Sequence, residues 1–202
     1  APTHVPLQVI ILEKVREAFP AGARPRSNED PLKEISVMQW LGREGAHPNV
    51  LALDEALRDD GAMYLVMPYC DSGELFDVVA ESGRFTEEQA RPLFRQLLQG
   101  VGHLQTRGVC HRDLSLENLM VSDGSLIVII DFGMALRVPF AGGGPGSAGG
   151  GAGGGGGGMH WLRTTAQGAC GKKNYMSPEI LVNQPFSGFA VDVWACGVIL
   201  FM

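Results

Sequence analysis

Aromatic residues make up only 7% of this 202-residue chain, and none of its four cysteines stands in a C-x-x-C pair. Cys70, Cys110, Cys170 and Cys196 are scattered, which excludes a zinc ribbon and a dithiol redox motif. Scattered thiols suit a reducing compartment, so the expected location is cytoplasmic. No basic, apolar leader reads as a signal peptide. The apolar stretch over residues 193–202 is too short to cross a bilayer and reads as a buried helix, so no membrane partner is expected. Positive charge is also in deficit, with 16 Lys and Arg against 22 Asp and Glu and a net charge of −6. That balance argues against a nucleic-acid partner. Glycine is abundant at 28 residues, and 45% of the chain is apolar, enough for a sizeable core.

Along the chain, residues 5–12 are apolar with β-branched members and predict a strand. Residues 20–30 are rich in Pro, Gly, Arg and Asp and predict a loop. Asp30-Pro31 predicts a helix start, with Leu32, Ile35, Met38 and Leu41 as the apolar face. Strands are expected near 50–57 and 63–67, joined by the turn Arg58-Asp59-Asp60-Gly61. Thr86 and Gln89 form a capping box for a helix running to about Arg107. Pro92 conflicts with it and is expected to kink that helix or move its start. Phe94, Leu97, Leu98, Val101 and Leu104 are the expected buried stripe. Residues 142–158 hold thirteen glycines in seventeen positions. They lack the strand-turn-helix setting of a phosphate-binding glycine loop, and their composition predicts a disordered insertion.

The most informative run is His111-Arg112-Asp113-Leu114-Ser115-Leu116-Glu117-Asn118. Asp131-Phe132-Gly133 follows, thirteen residues after Asn118. Phosphoryl transfer needs a carboxylate near the accepting hydroxyl, plus an amide and a second carboxylate to hold magnesium. Asp113 can take the first role. Asn118, five residues on, can reach back across the loop to a metal. The apolar run Leu126-Ile127-Val128-Ile129-Ile130 would set Asp131 at the end of a buried strand. Ser177-Pro178-Glu179 and Asp192-Val193-Trp194 follow in order.

These motifs resemble those of the eukaryotic protein kinases, nearest the Ser/Thr kinases of the calcium/calmodulin-dependent type. The resemblance runs from about Val5 to Met202. It implies an α+β, two-lobed protein-kinase-like fold, with a small β-rich first lobe carrying one helix and a mostly helical second lobe. Residues 1–67 would be a partial first lobe, 68–70 a hinge, and 71–202 a partial second lobe. Both ends read as cut, so the 202 residues alone are expected to be inactive.

The resemblance also implies roles. Asp113 would be the catalytic base or orienting group, with Asn118 and Asp131 as the Mg2+ ligands for ATP. Met67 would be the gatekeeper, and the backbones of Pro68 and Cys70 would meet adenine. Arg112 would pair with a phosphate on the activation segment, where Thr164 and Thr165 are the regulatory positions. His111, Phe132, Leu53 and Met38 match an apolar spine. Asp192 would hold the catalytic-loop backbone. Ser115 is a departure, because many Ser/Thr kinases carry there a lysine that reaches the γ-phosphate. The ATP-anchoring lysine is a second departure. Gln8 aligns at its place, opposite the partner Glu34, and Lys14 is the other candidate. Glu74 and Glu117 match acidic positions that hold an arginine upstream of the target hydroxyl in basophilic kinases. The expected function is therefore a protein Ser/Thr kinase acting on protein substrates. The alternative is a pseudokinase serving as a non-catalytic binding or scaffold module.

Overall fold

Strand β1 (Leu7–Ile11) lies antiparallel to β3 (Ala62–Val66), which pairs on its other edge with β2 (Glu55–Arg58), giving the order β1-β3-β2. The computed structural model describes residues 7–18, 30–43, 45–138, 161–163 and 169–202. The glycine tract at 142–158 and the positions Thr164 and Thr165 lie outside the described residues. A short helix α1 (Leu12–Ala18) follows β1 directly, an element beyond the one helix expected in this part. Helix α2 (Pro31–Gly42) begins where Asp30 Oδ1 accepts the amides of Leu32 at 3.0 Å and Lys33 at 3.3 Å. That cap satisfies two of the amides a helix start leaves without partners. Its buried side chains are Ile35, Val37, Met38 and Leu41. Leu32, expected inside, is 42% exposed, and the buried face of α2 begins only at Ile35.

The expected strand over 50–57 is two separate pieces. Val50 makes a parallel bridge to Ile129 instead of joining the sheet, and β2 starts only at Glu55. Asn49 explains the split: its Nδ2 donates to the Ile127 carbonyl at 2.8 Å, and its carbonyl accepts the Ile129 amide at 3.0 Å. A distant strand thus captures the segment before the sheet can.

Helix α3 (Leu75–Ser82) is followed by α4 (Glu87–Thr106), opened by the reciprocal Thr86–Gln89 capping box. Of the two outcomes expected of Pro92, a moved start does not occur: α4 keeps its start and runs on through the proline. The proline denies a donor to the Glu88 carbonyl, yet both residues are exposed, so water can take the bond. Leu97, Val101 and Leu104 are buried as expected, whereas Leu98 is 44% exposed. Gly100 takes the inner place instead. A Cβ there would stand 2.7 Å from Ile129 Cδ1 and 2.8 Å from the Asn49 carbonyl oxygen.

Strands β4 (Val109–Cys110) and β7 (Leu136–Arg137) pair antiparallel, as do β5 (Leu119–Ser122) and β6 (Leu126–Ile129). Strand β8 (Trp161–Arg163) pairs with β9 (Pro185–Ser187). Helices α5 (Pro178–Leu181) and α6 (Gly188–Phe201) end the described chain. The tail read as a buried helix is buried on one side only. Val191, Ala195, Cys196 and Ile199 face inward, while Val193, Trp194, Leu200 and Phe201 are exposed, Phe201 by 91%. Among the described residues no helix is long and apolar enough to cross a membrane. One continuous apolar cluster joins Ile10 of β1, Met38 of α2, Leu104 of α4, Phe132 and Ile199 of α6. The motif residues 111–118 and 131–133 sit against it.

Candidate active site

The loop after β4 is held from below by a single carboxylate. Asp192, in the first turns of α6, accepts the His111 amide at Oδ2 (2.7 Å) and the Arg112 amide at Oδ1 (2.8 Å). Asp192 is fully enclosed, and burial pushes its carboxyl above the ordinary range against the pull of those amides and of the Arg112 charge. The two bonds hold Arg112 at φ 68, a left-handed conformation that a non-glycine residue adopts only under constraint. The Arg112 side chain adds Nε to the Met134 carbonyl at 2.9 Å. Its Nη1 is buried with no hydrogen-bond partner among the described residues. That orphan donor is not the surface ion pair a loop arginine would otherwise make.

His111 packs rather than reacts. Its Nε2 lies 2.8 Å from the Ile130 carbonyl, and its Nδ1 accepts the Asp113 amide at 3.3 Å. Those two partners assign the neutral ring with the proton on Nε2. The ring also meets Phe132, with centroids 5.2 Å apart. Phe132 and Met38 are buried in the main cluster, and Leu53 packs on its edge half-buried.

Asp113 is 7% exposed, and each of its carboxylate oxygens is engaged. Oδ1 accepts the Lys172 amide at 2.8 Å, and Oδ2 accepts Asn118 Nδ2 at 3.0 Å. The same Nδ2 donates to the Asp113 carbonyl at 2.7 Å, so the amide of Asn118 closes the loop on itself. This turns Asn118 Oδ1 away from Asp113, toward Lys172 Nζ at 3.4 Å. The Asn118 carbonyl accepts the Ile130 amide at 3.1 Å, which fixes the loop beside Asp131. Asp131 has φ 62, and its Oδ1 accepts the Gly133 amide at 3.1 Å. No group of three or more His, Cys, Asp or Glu among the described residues could hold a metal unaided. A magnesium ion that leans on phosphates needs only one or two protein oxygens, and Asn118 Oδ1 with the Asp131 carboxylate fits that pattern.

The remaining expected residues fall in several places. Met67 is half-buried against the main cluster, Pro68 is exposed, and Cys70 is half-buried with its thiol pushed up by burial and then by Asp71. Glu74 is the N-cap of α3 with no side-chain capping bond, and its backbone bridges Met120. Glu117 is half-buried, and its Oε2 accepts the Tyr175 hydroxyl at 3.3 Å. Glu34 lies half-buried in the first turn of α2. Gln8 is exposed in β1 opposite Leu65, and Lys14 is exposed in α1, past the strand. Among the described side chains of that strand, Ile10 is the buried one.

Lys172 was not legible as a site residue. Its Nζ stands 3.0 Å from Ser115 Oγ, 3.4 Å from Asn118 Oδ1 and 3.6 Å from Asp113 Oδ2. The available signal was the uncharged Ser115, together with a lysine shortly before Tyr175-Met176-Ser177-Pro178-Glu179. Gly171 makes the approach possible: at φ +97, a Cβ there would stand 2.6 Å from the Arg112 carbonyl oxygen. Tyr175 adds a second tie, its hydroxyl accepting the Leu116 amide at 3.3 Å, and burial raises its phenol above the ordinary range.

The profile of the protein kinase domain family matches residues 18–202. CBL-interacting protein kinase 9 of Oryza sativa subsp. japonica is 36% identical over 179 residues, covering 89% of this chain and 34% of the relative. CBL-interacting serine/threonine-protein kinase 24 of Arabidopsis thaliana is 36% identical over 170 residues, 84% of this chain and 32% of the relative. CBL-interacting serine/threonine-protein kinase 17 of the same plant is 37% identical over 171 residues, 84% of this chain and 34% of the relative. The chain thus spans about a third of the length of the curated relatives it matches.

Proposed function

This chain belongs to the protein kinase domain family, and from that premise we propose that it acts as a protein serine/threonine kinase, moving the γ-phosphate of ATP to Ser or Thr hydroxyls of proteins. One observation carries the reading: Asn118 Nδ2 clamps both the carbonyl and the carboxylate of Asp113, at 2.7 and 3.0 Å. That clamp leaves a fixed carboxylate to orient the accepting hydroxyl and receive its proton. Asn118 Oδ1 and Asp131 would hold Mg2+, which neutralises charge on the phosphates when bound. Arg112, with its buried unpaired Nη1, would receive a phosphate on the activation segment. The half-buried carboxylates of Glu74 and Glu117 favour basophilic substrates. We place the protein in the cytoplasm, in keeping with four free cysteines, and the division into lobes at residues 68–70.

The test is transfer of radiolabelled phosphate from ATP by the full-length protein. Asp113→Asn should cut transfer by roughly a hundredfold or more while leaving MgATP binding intact. Unchanged transfer would refute the role of Asp113. A second reading, a pseudokinase module, draws on β1: Leu7–Ile11 holds no lysine. It requires that the full-length protein transfer no phosphate.

A further inference from the structure

The catalytic loop lacks a positive charge where phosphate would be transferred, because Ser115 is neutral and fully buried. Its hydroxyl is nonetheless in contact with an ammonium. We propose that Lys172 supplies the charge the loop lacks: it reaches in from the segment before Tyr175 and serves phosphoryl transfer from beside Asp113. This rests on the kinase reading above and adds to it the residue that carries the cation.

Three independent observations converge. The Lys172 backbone is pinned, its amide donating to Asp113 Oδ1 at 2.8 Å. Its Nζ then meets three polar side chains of the loop, Ser115, Asn118 and Asp113, at 3.0, 3.4 and 3.6 Å. Finally, the backbone path admits no side chain at Gly171, which lies against the Arg112 carbonyl. An exposed lysine paired with one surface carboxylate contributes little. Here the carboxylate is 7% exposed, and the lysine side chain retains 38% of its own surface. The ammonium therefore touches the reacting carboxylate and still opens toward solvent, where an incoming phosphate can meet it.

The chemistry balances without Lys172 gaining or losing a proton. The hydroxyl oxygen forms a bond to the γ-phosphorus, and the bond from that phosphorus to the bridging oxygen breaks. The leaving diphosphate keeps the electron pair, and the hydroxyl proton passes to Asp113. A fixed ammonium stabilises charge on the transferring group, and Ser115 holds it in place by accepting its hydrogen bond.

Relocating the charge tests the assignment. In the full-length protein, Lys172→Ser should lower kcat by roughly tenfold to a hundredfold, the worth of one charge-assisted hydrogen bond. The KM for MgATP and the affinity for a fluorescent ATP analogue should change little. Ser115→Lys added to Lys172→Ser exchanges the two side chains and should restore most of the lost turnover. Ser115→Lys alone crowds two ammonium groups and should lower it. Melting temperatures of all four proteins separate a bracing role from this one, since lost bracing follows the melting temperature and is not cured by moving the charge. An active parent indifferent to Lys172→Ser, or an exchange variant no better than Lys172→Ser, overturns the assignment alone. An inactive parent overturns the kinase reading and this assignment with it.

Discussion

Asp192 accepts the His111 amide at 2.7 Å across 81 residues of chain, so the loop that carries Asp113 is shaped by a carboxylate on α6. Asp192→Ala would leave the buried amide of His111 and the part-buried amide of Arg112 without their acceptor. The expected cost is about 2–5 kcal/mol of stability, with loss of activity beyond what the unfolded fraction explains. Asp192→Asn keeps one acceptor and should cost less. Chemical denaturation of both variants checks the order, and equal midpoints would show that the amides find other partners.

Gly171 carries the second expectation. Its φ of +97 and the 2.6 Å approach to the Arg112 carbonyl leave no room for a methyl group. Gly171→Ala should therefore destabilise by about 1–3 kcal/mol and lower turnover, because the Lys172 amide must leave Asp113 Oδ1. A variant that melts like the parent yet turns over more slowly would separate the two effects. A variant matching the parent in both would mean that the segment shifts without cost.

His47 and His103 stack with ring centroids 4.8 Å apart. Burial holds both below the ordinary 6.5, and for His103 the neighbouring ring and Arg107 add to it. A histidine with a lowered folded pKa binds fewer protons in the fold than in the unfolded chain. Its contribution is complete above 6.5 and is lost as pH falls through 6.5 toward the folded values. The melting temperature should stay level above neutrality and fall as pH drops below 6.5. His103 Nε2 is buried without a partner among the described residues, so His103→Phe keeps the stack and removes a titrating group. It should flatten that acid-side fall; an equally steep fall in the variant assigns it to other groups.

Substrate choice gives the fourth expectation. With Glu74→Gln and Glu117→Gln combined, preference for an arginine three residues before the target Ser or Thr should drop by roughly tenfold, with basal turnover less affected. The Tyr175 hydroxyl bond to Glu117 survives in the amide variant, which limits structural damage. A peptide array showing proline-directed or acidic preference in the parent would exclude the basophilic assignment.

What could be read from sequence was local. Asp113, Asn118 and Asp131 announced themselves because their spacing is dictated by one loop and one turn. The capping box of α4 and the Asp30-Pro31 start of α2 are likewise contacts within a few residues. What escaped depended on distant partners. Lys172 lies 57 residues from Ser115 and follows no periodic pattern. Residues 50–57 are mostly apolar and read as a single strand, yet Asn49 ties their beginning to β6. Leu98 and Leu32 are apolar by composition but fall where α4 and α2 turn away from the core. Pro92 breaks a helix only where the freed carbonyl has no water, and at this surface it does.

The apolar cluster that joins Ile10, Met38, Phe132 and Ile199 runs unbroken from the sheet to the helices. Pulling β1 off the molecule exposes the same interior that supports the loop beneath Asp113. A local opening confined to one half would forfeit packing on both sides at once. A fault in either part is therefore felt at the site as a change in how often the whole assembly exists.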